Sequence, residues 1–152
     1  MFFGMIALVL LLDQASKIAV CSFMYPGESI PFIPPVLYLT CVFNSGAAFG
    51  LFADKTNILI IVTIILATGM IIGYRYLPIE RGHVRYGAAL IIGGALGNLI
   101  DRIRLGYVVD FLDIRFWPVF NLADVAIVTG VGLLIWDMLV NQSWKESDST
   151  SN

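Results

Sequence analysis

The stretch NILIIVTIILATGMIIGYRY, residues 57–76, decides the fold class of this chain, because it is apolar for long enough to cross a lipid bilayer. A transmembrane helix needs about 20 mostly apolar residues. The whole chain has the same character: 59% of its 152 residues are hydrophobic and 13% are charged. Soluble domains are about half apolar and about a quarter charged. The composition therefore predicts an integral membrane protein of a single domain.

Three further segments bring the number of predicted transmembrane helices to four. They are residues 2–24, 86–100 and 120–140, and the middle one is short and rich in glycine. The first segment is not expected to be a cleaved signal peptide. It lacks a basic start and a small-residue cleavage site, and Asp13 and Lys17 interrupt its apolar run. Two G-x-x-x-G patterns, which let helices pack closely in lipid, occur at Gly69–Gly73 and Gly93–Gly97.

The loop between the first two predicted helices, residues 25–56, is too apolar for a solvated linker. Its prolines exclude a long helix in the first part. VLYLTCVF, residues 36–43, is rich in β-branched and aromatic residues, which predicts a strand. The fold prediction is therefore an all-α integral membrane protein with four transmembrane helices and a small extracytoplasmic β-strand platform. The alternative for this loop is an ordered hydrophobic segment without function.

The distribution of arginines predicts the orientation in the membrane. The connector of residues 75–85 carries more arginines than acids, so it should be cytoplasmic. Both termini are then cytoplasmic as well, and the loops at 25–56 and 101–119 face the outside. Residues 1–142 form the predicted membrane domain, and the polar tail of residues 143–152 is predicted to be disordered.

Several reactive or charged side chains are not assigned to a functional site. Cys21 and Cys41 fit neither a disulfide framework nor a metal site. His83, the only histidine, is interpreted as a solvated loop residue. Asp113 beside Arg115 is interpreted as a surface ion pair. No metal or cofactor is expected, and the absence of a Lys/Arg-rich run excludes nucleic acid as a partner.

Polar side chains inside the predicted helices are costly in lipid and usually face the bundle interior. Asp13 and Lys17 are four residues apart and can pair on one helix face. A structural ion pair and a direct catalytic or proton-relay role are both open. Asn98, Asp101 and Arg102 share a face at the outer end of the third helix. The last two could form an ordinary helix-end pair, but Asn98 lies in apolar sequence and needs a partner, so this face should look inward.

Two aspartates near the fourth helix are the candidates for chemistry. Asp110 lies among apolar residues in VVDF, which favours a raised pKa. Asp124 and Asn121 share the first turn of the fourth helix, where either could merely cap it. If both carboxyl groups reach one pocket they would share a proton, so that one activates a water while the other polarises a carbonyl. Asn98, Asn121 and Arg102 would then donate hydrogen bonds to the substrate or the oxyanion.

Five short motifs follow one another along the chain. They are DQ-x-x-K at 13–17, FN-x-GAAFG at 43–50, GGALGN-x-IDR at 93–102, VVDF at 108–111 and FN-x-AD at 120–124. Together they resemble the motifs of the bacterial lipoprotein signal peptidase family, also called signal peptidase II. They occur in the order of that family and cover the chain except its tail.

The resemblance implies an aspartic endopeptidase of the bacterial cytoplasmic (inner) membrane, with its active site at the outer face. It would cut prolipoproteins just before the lipobox cysteine, after that cysteine has received a diacylglyceryl group. Asp110 and Asp124 would be the catalytic pair. The positions that would bind substrate or support the pocket are Asn44, Gly46, Asn98, Asp101, Arg102, Asn121, Asp13 and Lys17. The implied partners are diacylglyceryl-prolipoprotein, membrane lipid and a globomycin-type cyclic peptide inhibitor, and the expected state is a monomer.

Two other functions stay open at this level. A small proton-coupled transporter or channel subunit would use the aspartates as a relay. Both aspartates, however, lie near the outer ends of their helices rather than at the midplane, where transporter sites gather. A non-enzymatic packing scaffold would tolerate asparagine in place of Asp110 and Asp124. It would leave Asn98, Asn121 and Arg102 without a reason to converge.

Overall fold

The computed structural model describes residues 1–46, 55–78 and 80–149, with side chains as far as residue 140. Residues 47–50 of the FN-x-GAAFG motif lie outside these stretches. In chain order the elements are α1 (Phe2–Phe23), β1 (Ser29–Ile33), β2 (Leu37–Asn44), α2 (Thr56–Gly73), α3 (Gly82–Leu105), β3 (Val108–Asp113) and α4 (Leu122–Ser149). A 3-10 turn, Tyr74–Tyr76, follows α2.

Three helices, α1, α2 and α4, are long and apolar enough to cross a membrane. The remaining predicted span, residues 86–100, lies within α3, which does not meet that criterion in the described part of the chain. The polar residues near its C-terminal end, including Asn98 and Asp101, lower its hydropathy, so a fourth span stays a prediction. α4 continues to Ser149, into the tail that the sequence predicts to be disordered. That segment contains no proline or glycine to stop the helix.

α3 lies at the centre of the bundle and packs against α1, α2 and α4. Its glycines permit this, because a Cβ at Gly94 would overlap the carbonyl oxygen of Ala123 in α4. The Gly93–Gly97 pattern is thus a packing face, as predicted. At Gly69 and Gly73 an added Cβ would have nothing within 4 Å, so among the described residues this second pattern faces no neighbour.

The strands form one antiparallel sheet in the order β1-β2-β3. β2 confirms the strand predicted at residues 36–43. Residues 101–119 were predicted to be a loop, but they contain the end of α3 and the strand β3. Residues 108–111 are all buried, so they lack the alternation of apolar and polar residues that marks a half-exposed strand.

The sheet brings β3 next to the start of α4. α3 ends at Gly106, where the positive φ of 82° favours glycine, and the chain turns there into β3. The backbone N–H groups of Phe111 and Leu112 both donate to the carbonyl oxygen of Phe120, and the Phe120 N–H donates to the carbonyl oxygen of Leu112. As a result, Asn121 and the first turn of α4 lie beside the middle of β3.

A small apolar core joins the sheet to the end of α1. Its buried members are Val20 and Met24 of α1, Cys41 of β2 and Phe111 of β3. Full burial of one such large apolar side chain stabilises a fold by about 1.5–3 kcal/mol. This core therefore fixes the sheet relative to the helices, and with it the residues that β2 and β3 present to the bundle.

Candidate active site

Asp110, in the middle of β3, is 3% exposed and hydrogen-bonded through both carboxyl oxygens. Its Oδ2 accepts a hydrogen bond from Asn44 Nδ2 at 2.8 Å, and its Oδ1 accepts one from Asn121 Nδ2 at 2.7 Å. Burial is the largest cause that raises the pKa of Asp110 to about 6; the Asn44 amide opposes the rise, and the negative charge of Asp124 adds to it. Asp110 can therefore exchange a proton close to neutral pH.

Asp124 forms a reciprocal cap with Asn121, the residue that precedes α4. The Asp124 N–H donates to Asn121 Oδ1 at 3.0 Å, and the Asn121 N–H donates to Asp124 Oδ2 at 3.3 Å. Both residues therefore cap the helix, which the sequence left open. The other carboxyl oxygen of Asp124, Oδ1, accepts a hydrogen bond from Asn98 Nδ2 at 2.8 Å. The cap thus fixes the orientation of this carboxylate.

Asp110 and Asp124 line one pocket, which has a volume of about 500 Å³. Asn121 connects them, because its Nδ2 donates to Asp110 and its Oδ1 accepts the N–H of Asp124. The structure thus brings together the two carboxyl groups that the sequence predicts to share a pocket. The other polar residues that line it are Asn44, Asn98 and Arg102. An apolar wall is formed by residues 117–120 and by Ile127 and Val128.

Lys17 is the centre of a buried network next to this pocket. It is 3% exposed, and its Nζ lies 2.9 Å from Asp13 Oδ2 and 2.8 Å from Asp101 Oδ2. The predicted pair of Asp13 and Lys17 is therefore confirmed. Asp101 of α3, for which the sequence suggested a pair with Arg102, pairs with Lys17 of α1. Lys17 also donates to Asn98 Oδ1 at 2.9 Å. Because Asn98 holds Asp124, the network connects α1 to a candidate catalytic group.

Asp13 also holds α4 in position. Its Oδ1 accepts the N–H of Ala123 at 2.9 Å, in the first turn of that helix. Gln14, which sequence reasoning missed, donates to Asp101 Oδ1 at 2.9 Å and to the carbonyl oxygen of Gly97 at 3.3 Å. The signal for Gln14 is an amide in an apolar helix, which needs a hydrogen-bond partner. These contacts join α1 to both α3 and α4.

Asn44 and Gly46 connect the sheet to Arg102. The Gly46 N–H donates to Asn44 Oδ1 at 2.9 Å, and Arg102 Nη2 donates to the carbonyl oxygen of Gly46 at 3.1 Å. Arg102 is also close enough to Asp110 and Asp124 for their charges to act on it. The guanidinium therefore adds positive charge to a pocket that contains two carboxyl groups.

Asp113 differs from its interpretation as a surface pair. It pairs with Arg115 at 3.4 Å, but it is only 6% exposed and accepts hydrogen bonds from Thr40 Oγ1 at 2.7 Å and from the Arg115 N–H at 2.8 Å. Burial raises the pKa of Asp113, yet the hydrogen bonds from Thr40 and Arg115 outweigh it and hold the pKa below its usual value. Strand β2 supplies Thr40, a partner that the sequence does not reveal. Asp113 does not line the pocket.

A second ionic cluster lies at the opposite end of α3. His83, interpreted from sequence as a solvated loop residue, is in the first turn of this helix, and its Nε2 lies 2.6 Å from Asp137 Oδ1 in α4. Arg81 Nη1 pairs with the other oxygen of Asp137 at 3.0 Å. The interpretation of His83 is wrong because α3 begins earlier than predicted and places the ring against α4.

The helices, the sheet and the pocket indicate what kind of protein this is. It is a helical membrane protein with a small sheet, in which asparagine amides hold two aspartates in one pocket. Paired carboxyl groups of this kind suit hydrolysis, because their environments can give them opposite protonation states. Among the described residues, no group of three or more His, Cys, Asp or Glu side chains is placed to hold a metal ion. The chain belongs to the signal peptidase (SPase) II family, whose model matches residues 5–140.

Relatives in this family are similar to the chain along nearly its whole length. A lipoprotein signal peptidase of Pelotomaculum thermopropionicum is 54% identical over 145 residues, which is 95% of each chain. That of Moorella thermoacetica is 55% identical over 133 residues, covering 88% of this chain and 89% of the relative. A solved bacterial membrane enzyme, determined by the in meso method at 2.3 Å resolution, is 33% identical with a TM-score of 0.88, over 95% of this chain and 90% of that one. The chain is therefore a peptidase with the fold of a membrane enzyme.

Proposed function

We propose that this chain is an aspartic endopeptidase of the bacterial cytoplasmic membrane that removes the signal peptide from diacylglyceryl-modified prolipoproteins. The cut falls just before the lipidated cysteine. The observation that carries the proposal is the bridge that Asn121 makes between Asp110 and Asp124 in one pocket. The name of the relatives, lipoprotein signal peptidase, supports the substrate class.

In the resting enzyme the two carboxyl groups share one proton, because two negative charges in one buried pocket are costly. The raised pKa of Asp110 supports this state. The ionised group takes a proton from a water, and the resulting hydroxide attacks the scissile carbonyl carbon. The protonated group donates its proton to the carbonyl oxygen. When the tetrahedral intermediate collapses, the carboxyl group that took a proton from water gives that proton to the leaving amine. The other carboxyl group takes back the proton that it gave to the carbonyl oxygen.

The neutral amides and Arg102 set the geometry for these steps. Asparagine side chains hold both carboxyl groups without adding charge, through Asn44 and Asn121 on Asp110 and through Asn98 on Asp124. Arg102 supplies positive charge that stabilises the developing oxyanion. Asp13, Lys17 and Asp101 act as positioning residues through Asn98 and the first turn of α4. No step requires a metal or an organic cofactor.

In the proposed orientation α3 is the fourth transmembrane helix, both termini are cytoplasmic, and the sheet is a platform at the outer face. Apolar side chains on β1 and the turn that follows it support this placement, since Phe32, Ile33 and Val36 are more than half exposed and would be covered by lipid. The substrate enters the monomer sideways from the bilayer, and its scissile bond lies at the interface, where water is available. A globomycin-type inhibitor would occupy the same pocket.

The test is a gel-shift assay with a diacylglyceryl-modified prolipoprotein and purified protein. Asp110→Asn and Asp124→Asn should each lower cleavage by at least about 100-fold, because each removes a general acid–base. Asp113→Asn is the matched control, since Asp113 is buried on the same strand but does not line the pocket. It should cleave at close to the wild-type rate, and a metal chelator should have no effect. Normal processing by either pocket variant would overturn the proposal.

A further inference from the structure

A second cavity, the α2–α3–α4 groove, adjoins the candidate active site. It has a volume of about 350 Å³ and lies where α2 packs on α3 but leaves space beside α4. Its wall includes Ala67 and Met70 of α2 and Ile91 and Ala95 of α3. Three residues line both this groove and the active-site pocket, so the two cavities adjoin. They are Asn98, Arg102 and Ile127.

The polarity of the groove changes along its length. The amide and guanidinium groups that line it, those of Asn98 and Arg102, stand at the end that adjoins the active site. Deeper in the bundle the lining is aliphatic, apart from Thr63. The Thr63 hydroxyl donates to the carbonyl oxygen of Leu59 at 2.7 Å, so its hydrogen bond is already made within α2. A suitable occupant is therefore apolar along most of its length and polar at one end.

The dimensions of the groove identify the kind of occupant. On α3 the lining runs from Ile91 to Arg102, about 16 Å at a rise of about 1.5 Å per residue. The groove volume of about 350 Å³ is several times smaller than the roughly 1300–1800 Å³ of an α-helix of that length, taken as a cylinder about 10–12 Å across. An α-helix with side chains is about 10–12 Å across. A polymethylene chain is about 4–5 Å across, because non-bonded carbons approach to about 4 Å.

We propose that the α2–α3–α4 groove binds one acyl chain of the diacylglyceryl group of the substrate, and that the signal helix lies outside it. The inference rests on the proposed function. The glyceryl ester would lie at the mouth of the groove, where Arg102 and Asn98 can donate to its carbonyl oxygen. Because the chain leaves lipid for surroundings that are equally apolar, the groove selects by width and length rather than by hydrophobicity.

The first test narrows the groove and varies the acyl chain. Ala95→Leu and Ala67→Leu should each raise KM for a dipalmitoylglyceryl substrate by about tenfold, the effect of overfilling a packed site. The kcat for this substrate and the KM for a diacetylglyceryl substrate should stay within about twofold of the wild type, because an acetyl group held at Asn98 does not reach Ala95, about one helical turn deeper. The control is Ala19→Leu, the same change on an exposed face of α1. It should alter neither the kcat nor the KM for either substrate.

The second test is independent of turnover. Wild-type protein is photolysed with a substrate that carries a diazirine at the end of one acyl chain, and the adducts are mapped by mass spectrometry. Adducts at Met70 or Ile91 that decrease in Ala95→Leu support the groove. Adducts confined to α1 would overturn the groove assignment. It would also be overturned if a diazirine placed on the signal peptide, rather than on the acyl chain, gave the adducts in the groove.

The outcomes separate this inference from the proposed function. If the wild type cleaves both substrates but the variants keep the wild-type dependence on chain length, only the groove assignment fails. If the wild type cleaves neither substrate, the proposed function fails and the groove assignment fails with it.

Discussion

Replacement of Lys17 by methionine tests whether the buried network holds the active site together. The Lys17 ammonium lies 2.9 Å from Asp13 and 2.8 Å from Asp101, and the side chain is 3% exposed. Methionine fills a similar volume but leaves two buried carboxyl groups without their cation. Because removal of one partner of a buried ion pair costs about 3–5 kcal/mol, we expect a loss of that size in the free energy of unfolding.

The free energy of unfolding in detergent and the rate of prolipoprotein cleavage would both be measured on the same preparations of the Lys17→Met variant. Lys17 also holds Asn98, which orients Asp124, so cleavage should fall by about 100-fold, as expected for a displacement of about 1 Å at a reacting group. The double variant Lys17→Met/Asp101→Asn removes one of the two unpaired acids. It should regain at least about 1 kcal/mol of stability relative to Lys17→Met alone.

The control is Lys55→Met, which changes an exposed lysine just before α2 and should stay within about 0.5 kcal/mol of the wild type. The reasoning is refuted if Lys17→Met unfolds and cleaves like this control. Strict additivity of Lys17→Met and Asp101→Asn would also refute it, because two residues in direct contact would then act independently.

Two further predictions concern the pocket and the helix packing. Asn44 stabilises the ionised form of Asp110, so Asn44→Ala should raise that pKa above about 6. Because the active pair must keep one proton, the alkaline limb of the pH profile of kcat/KM should move to higher pH. An unmoved limb would count against Asp110 as part of the titrating pair. Gly97→Ala would place a Cβ 2.5 Å from Asp13 Oδ2 and should lower both the melting temperature and the activity. At Gly69 an added Cβ has no described residue within 4 Å, so Gly69→Ala should change neither the melting temperature nor the activity. Equal effects of the two substitutions would contradict the packing argument.

Local patterns were enough to locate the helices. The segment predicted at residues 2–24 is α1 (Phe2–Phe23), and the one at 57–76 is α2 with its 3-10 turn, from Thr56 to Tyr76. Long apolar runs predict helices because each residue in lipid must satisfy its backbone hydrogen bonds within the same segment. α3 was predicted too short, since glycine and polar residues at its ends hide a helix that is stabilised by packing on its neighbours.

Strand β3 could not be predicted in this way, because it owes its existence to partners distant in the chain. Asp110 pairs in register with Val42, and Asn44 pairs with Val108. A strand buried on both faces has no alternation of its own, and its charged residue resembles part of a loop. Asp113 was misread for the same reason, since Thr40, its buried partner, comes from the neighbouring strand.

The side chains available for chemistry can be identified from the amino-acid sequence alone. The aspartates, the asparagines and the arginine are recognisable as motifs, and the hydropathy places them near helix ends. Which of these side chains contact one another depends on the packing of the helices and strands. Asp110 reaches Asn121 because β3 is hydrogen-bonded to Phe120, and Asp101 reaches Lys17 because α1 packs on the glycine face of α3. Contacts between distant segments depend on the packing of whole elements, and no local pattern encodes that packing.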